Sequence, residues 1–151
     1  MPTPQERLGR RLQHSARAWR RAVNARLAPL DLTEATWLPL LYLHRADRPV
    51  RQVDLAEFLS LDRSSVVRLV DTLEQAGLVK RSEDPGDRRA KRLTLLPAAE
   101  PIVGMAENAA NEVRSQVLEG ITAEDIEVVN RVLERILDRL PGITDDPMDR
   151  I

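Results

Sequence analysis

The amino-acid sequence predicts a mainly α-helical fold carrying one small β-hairpin. Three observations lead there. Apolar residues recur at i, i+3, i+4 and i+7 through most of the 151 residues, the period of helices with one buried face. Thr33, Asp62 and Thr122 stand at the heads of three such runs, where a side-chain oxygen caps free N–H groups. The period breaks over residues 78–95, where two strand-like segments flank the turn sequence Asp84-Pro85-Gly86-Asp87.

The elements follow in order. A first helix spans about residues 4–27, with Leu8, Leu12, Trp19, Val23 and Leu27 near one stripe. Leu32 and Trp37 flank the Thr33 cap at the positions of a hydrophobic staple. The second helix then runs to about Arg45, and Pro39 must cost it a hydrogen bond or kink it unless it lies in the first turns. A third helix, about residues 51–59, is expected to bury Val53, Leu55, Ala56 and Leu59. Ser60-Leu61 makes a tight junction to a fourth helix capped by Asp62. Val66, Leu69, Val70 and Leu73 form its buried stripe, and Ser64, Arg68, Asp71 and Gln75 its polar face. Gly77 stops it as a left-handed residue. Strands are expected at residues 78–81 and 91–95. Pro97 opens a long helix to about Glu119, with Pro101 tolerated near the start and Ile102, Ala106, Ala109, Val113 and Val117 on its stripe. In the last helix Thr122 is the cap, Asp125 sits at N3 and Ile121 and Ile126 form a staple. Val129, Val132, Leu133, Ile136, Leu137 and Leu140 make its apolar face before Pro141-Gly142 ends it. Residues 1–4 and 142–151 read as frayed ends.

Composition excludes several classes of function. The 42% apolar and 31% charged residues suit a globular chain with a charged surface. With aromatics confined to Trp19, Trp37, Tyr42 and Phe58, the core must be aliphatic. No run of 18 apolar residues and no basic-then-apolar leader is present, so the expectation is a cytoplasmic protein without a membrane span. Cysteine is absent, which removes disulfides, thiolate catalysis and Cys-ligated metals. Two histidines, His14 and His44, are too few for a transition-metal site, and no cofactor is expected. Nor is there a glycine-rich phosphate loop or a nucleophile motif, so no catalytic residue is assigned and the chain does not read as an enzyme. Glu124-Asp125 is explained by the charge preference of a helix N-terminus.

Charge is uneven although its total is only −1. Residues 1–30 are net +6, 31–61 net −2, 62–97 net +2 and 98–151 net −7. An acidic C-terminal part would be repelled by phosphate and should face away from a duplex, although such blocks also suit a plain solvated surface. After the turn come Arg88, Arg89, Lys91 and Arg92, four cations in five residues. A helix with a polar outer face beside a hairpin with a cationic tip is the plan of a winged helix-turn-helix. Such a module puts its helix in the major groove and its wing along the backbone or into the minor groove.

The run Leu69 to Leu95, LVDTLEQAGLVKRSEDPGDRRAKRLTL, resembles the signature of MarR-family transcription regulators. The Asp87-Arg88-Arg89-Ala90-Lys91-Arg92 wing, with Leu32-Thr33-Glu34-Ala35-Thr36-Trp37 upstream, is most similar to the SlyA branch, and the likeness covers roughly residues 8–140. The absence of cysteine removes the thiol switch of that family's peroxide sensors. Arg51 also departs from it, standing where members commonly have a Ser or Thr cap. The resemblance implies an obligate homodimer on a pseudo-palindromic operator of double-stranded DNA, usually released by a small, often aromatic, anion such as a carboxylate. It implies N- and C-terminal dimerisation helices at residues 1–30 and 97–141, a DNA-binding domain at 31–96 and a tail at 142–151. By periodicity alone, the surplus apolar stripes fit an intramolecular bundle as well as a dimer.

Candidate DNA contacts are Arg63, Ser64, Ser65, Arg68, Gln75, Arg88, Arg89 and Lys91. Arg68 suits a bidentate contact to guanine, Ser64 and Ser65 suit phosphate, and Arg88 at the expected tip suits a narrow minor groove. The plain alternative for the helix is an ordinary polar surface. Asp71 is read as orienting Arg68, Asp87 as pairing with Arg89, and Arg92 as either solvated or touching DNA. Candidate effector contacts are His14, Arg17, Trp37 and His44, against the plainer reading of packing or surface exposure. A winged-helix protein–protein module is the competing function. Exposed Arg68 and Arg88 argue against it, because a protein interface favours apolar or aromatic anchors.

Overall fold

The structure, a computed structural model, describes residues 1–46 and 48–140. The chain divides into two compact units, with the boundary between Arg114 and Ser115. The fold is mainly α-helical with a small three-stranded antiparallel sheet.

In the first unit, α1 (Pro4–Leu27) begins with a reciprocal capping box. The Thr3 hydroxyl accepts from the Glu6 N–H at 3.2 Å and the Glu6 carboxylate from the Thr3 N–H at 2.7 Å. Its C-terminal end enters the core through Val23 and Leu27, whereas Leu8 stays exposed. A single 3₁₀ turn, Ala28–Leu30, leads to α2 (Glu34–Arg45). Thr33 occupies the cap position, but its hydroxyl meets that of Thr36 instead of a backbone N–H. Pro39 falls inside α2, fully buried, where its ring removes one backbone donor.

A two-residue strand, β1 (Val50–Arg51), precedes α3 (Gln52–Leu59); periodicity cannot reveal so short a strand. The Asp54 carboxylate accepts the Arg51 N–H at 3.2 Å, supplying from N3 part of the capping that Arg51 itself lacks. Leu55 and Ala56 are buried, but Val53, expected in the core, is 65% exposed. At the helix start it points outward, while Leu55 and Ala56 supply the inward contacts. Ser60, left-handed at φ 53°, ends α3 and turns the chain into α4 (Arg63–Gln75). Val66, Val70 and Leu73 are buried with Leu69 packed beside them, and Gly77 at φ 71° closes the helix as expected.

The hairpin strands, β2 (Val79–Asp84) and β3 (Asp87–Leu95), run closer to the turn than expected, leaving only Pro85-Gly86 between them. Strand order is β1-β3-β2, with Arg81 opposite Leu93, Glu83 opposite Lys91 and Arg51 opposite Arg92. A 3₁₀ turn, Pro97–Ala99, precedes α5 (Glu100–Val117), so the α-helix starts three residues after Pro97, with Pro101 in its first turn. Val103, Ala106, Ala109 and Val113 join Leu40, Leu55, Val70 and Val79 in one aliphatic core. Arg45 clasps Glu107 through two hydrogen bonds of 2.7 and 2.9 Å and ties α2 to α5. That arginine's hydrogen bonds hold the Glu107 carboxyl below its usual range.

The second unit contains the end of α5, a left-handed turn at Gly120 and α6 (Ala123–Arg139). The Thr122 hydroxyl accepts the Asp125 N–H at 3.1 Å, the expected cap. No residue of α6 is buried in the single chain, and Val128, Val129, Val132, Leu137 and Leu140 all stand exposed. The expected stop at Pro141-Gly142 lies outside the described residues, as does the tail at 142–151. Among the described residues no helix is long and apolar enough to cross a membrane.

Candidate nucleic-acid interface

The polar face of α4 is built from its cap outward. Asp62 accepts three hydrogen bonds: from the Ser65 N–H at 2.8 Å, the Ser64 hydroxyl at 2.7 Å and the Ser65 hydroxyl at 2.9 Å. The Ser64 hydroxyl first, then the Ser65 groups, lower its carboxyl to about 2. Both serine protons are thereby directed at Asp62, so a phosphate would have to win them from it. Beyond this turn Arg68 and Gln75 project from the exposed face. Asp71, expected to orient Arg68, pairs instead with Arg81 of β2. Among the described residues the Arg68 guanidinium has no ion pair.

The hairpin is fixed at its root by a buried carboxylate. Asp84, only 2% exposed, accepts from Arg92 Nε at 2.8 Å, Arg51 Nε at 3.0 Å and the Gly86 N–H at 2.8 Å. Arg92, followed by the Gly86 N–H and Arg51, holds the Asp84 carboxyl at about 2. Arg92, part-buried, is thus engaged with Asp84 and anchors the hairpin instead of standing free. Asp87 accepts the Arg89 backbone N–H at 3.0 Å and so shapes the tip through the main chain. Arg88 and Arg89 are exposed and, among the described residues, make no side-chain ion pair, while Lys91 lies a loose 3.8 Å from Glu83. Arg63, Arg89 and Lys91 line a cleft of about 660 Å³ together with Val53 and Val66. Arg68 and Gln75 lie outside the lining of that cleft.

The arginines thus divide by task. Arg51, Arg81 and Arg92 are held by carboxylates, whereas the side chains of Arg63, Arg68, Arg88 and Arg89 remain open to solvent. The MarR family model matches residues 30–90, which include α4 and the wing as far as Ala90. Over nearly its whole length the chain is also similar to the transcriptional regulator PA3341: 38% identity, 89% of this chain and 98% of that one, TM-score 0.80. The chain belongs to the MarR family.

Two further solved structures are similar at lower identity. A mutant MarR from E. coli complexed with operator DNA is 25% identical over 86% of this chain and 93% of that one, TM-score 0.68. CouR from Rhodococcus jostii RHA1 bound to p-coumaroyl-CoA is 27% identical over 90% of this chain and 95% of that one, TM-score 0.73. Within this MarR-family chain the four candidate effector residues are not gathered in one place. His14 and Arg17 lie on an open arginine-rich surface of α1. Trp37 is buried and its indole N–H donates to Asn24 Oδ1 at 2.8 Å, while the Asn24 amide donates to Glu34 at 2.6 Å. His44 lines a cavity of about 460 Å³ with Leu95, Pro97, Val103, Gly104 and Glu107.

The anchoring residues are what sequence reasoning missed. Arg51, Arg81 and Asp84 sit in segments whose charges all look solvent-directed in one dimension. Strand alternation puts Arg81 on the same face as the inward-facing Val79, a signal that its charge masks. Asp84 stands in a turn-like sequence, Asp84-Pro85-Gly86-Asp87, that gives no sign of its burial.

Proposed function

We propose that this protein is a homodimeric, SlyA-like transcription regulator of the cytoplasm that binds a pseudo-palindromic operator in duplex DNA and carries out no catalysis. The observation that supports it is the pairing of an exposed Arg68 on α4 with exposed Arg88 and Arg89 on a hairpin anchored through Asp84. In this reading α4 enters the major groove, where Arg68 reads guanine and Gln75 an adjacent base, and Ser64, Ser65 and Arg63 hold phosphates. Arg88 enters the minor groove, and Arg89 and Lys91 neutralise the backbone. Residues 31–96 bind the duplex. Residues 1–30 and 97–141 bring two copies together, with the exposed apolar stripe of α6 as the reason a second copy is needed. The acidic end, net −7, then stays away from phosphate.

Selection from a random duplex library followed by footprinting tests the reading. The expected result is enrichment of two inverted half-sites about 34–36 Å apart, one helical turn, with symmetric protection. Recovery of unenriched DNA at every salt concentration would sink it.

The effector in this reading is a small aromatic carboxylate. His44 offers a polar contact in the cavity beside α5, and His14 and Arg17 would have to come to the same ligand from a second copy. Trp37, buried with its indole N–H donated to Asn24, stays in the core. A panel of benzoates and cinnamates, scored by release of labelled operator, decides whether such an anion acts.

A further inference from the structure

We propose that Arg81 is a positioning residue, setting the recognition helix and the wing at one fixed angle so that both engage the same operator. The inference rests on the DNA-binding reading above. Arg81 lies on β2, at the root of the wing, with its side chain 22% exposed. From there it reaches three successive turns of α4. Its guanidinium donates to the Val67 carbonyl at 3.0 Å and to Glu74 Oε2 at 3.3 Å, and it pairs with Asp71. The Arg81 backbone N–H donates to Glu74 Oε1 at 3.0 Å. Its Nε donates to Gln52 Oε1 at 3.0 Å, the first residue of α3. One side chain therefore joins wing, recognition helix and the preceding helix.

All three guanidinium nitrogens are engaged in this way, so Arg81 has little left to offer DNA. Val67, Asp71 and Glu74 follow one another at i, i+4 and i+7, a row beside the buried stripe and beside the face that carries Arg68. Pulling on that row fixes the rotation of α4 about its own axis, which decides where Arg68 points. The planar fork is essential: an ammonium carries its three N–H donors on one nitrogen and cannot span Gln52 and three turns of α4.

Arg81→Lys tests this because it retains the charge and hence the long-range attraction to phosphate. The probes are the duplex selected by the wild-type protein and a scrambled duplex of the same length. Operator affinity should fall about tenfold, the size of weakening one bidentate base contact, while affinity for the scrambled duplex should change by less than about threefold. Adding Arg88→Ala should then cost the Arg81→Lys protein much less than it costs the wild type, because a wing no longer held at its angle has already lost that contact. A role confined to folding would lower both affinities alike and leave the Arg88→Ala effect intact; either outcome overturns the proposal. If Arg81→Lys does not fold, Asp71→Asn with Glu74→Gln weakens the same link from the helix side. The ratio of operator to scrambled-duplex affinity must then fall in the same way, since the lost negative charge acts on both duplexes alike. Should the wild-type protein select no duplex, the DNA-binding reading and the role of Arg81 fall together. Selection by the wild type with no response to any of these variants removes Arg81 alone.

Discussion

Asp84 is the deepest charged side chain among the described residues, and its partners fix how it responds to pH. Arg92, Gly86 and Arg51 lower its carboxyl from 3.8 to about 2. A depressed folded-state value means the stabilisation is complete above the unfolded value and is lost as pH falls through the folded one. Thermal melts of wild type and Asp84→Asn should therefore differ most above about pH 4 and converge toward pH 2. A constant difference down to pH 2 would place the stabilisation elsewhere. Arg68 is the opposite kind of residue, exposed and without an ion pair among the described residues. Arg68→Ala should cost about 1–3 kcal/mol on the operator and far less on random sequence, read by titration on both duplexes. Equal losses would make it a phosphate contact and shift base reading to Ser64 or Gln75.

At the scale of the element, the wing is a strand pair anchored at its root that carries exposed cations at its tip. Arg88→Ala should weaken binding broadly, blunt a preference for A·T-rich flanks and reduce the salt slope by about 1, measured over roughly 50–200 mM salt. Unchanged affinity across that range would take Arg88 out of the interface. The helices themselves were legible in the sequence because buried stripes and caps are local: the Asp62 cap, the Val66–Val70–Leu73 stripe and Gly77 all stand where the pattern put them. What stayed illegible depends on contacts across the sequence. β1 exists only because β3 lies beside it, and Arg51 reaches Asp84 across 33 positions. Asp71 lies three positions from Arg68 but pairs with Arg81, a link that no helical spacing announces.

For the whole molecule, the exposed stripe of α6 is the feature a single chain leaves unsatisfied. At micromolar concentration light scattering should give twice the mass of one chain. Val132→Asp should give monomer or insoluble protein, since a charge would be buried without a partner. A wild-type protein that scatters as one chain would mean that α6 is simply a solvated helix.

The division of the arginines also settles when their disorder is given up. A long charged side chain loses roughly 2 kcal/mol of rotamer freedom when it is fixed. For Arg51, Arg81 and Arg92 that loss is incurred during folding, because their carboxylate partners already hold them. Binding a duplex thus meets a wing whose root is already ordered, and the entropy lost on association concentrates in the open side chains of Arg63, Arg68, Arg88 and Arg89. The framework is preorganised and only the fingertips must be stilled.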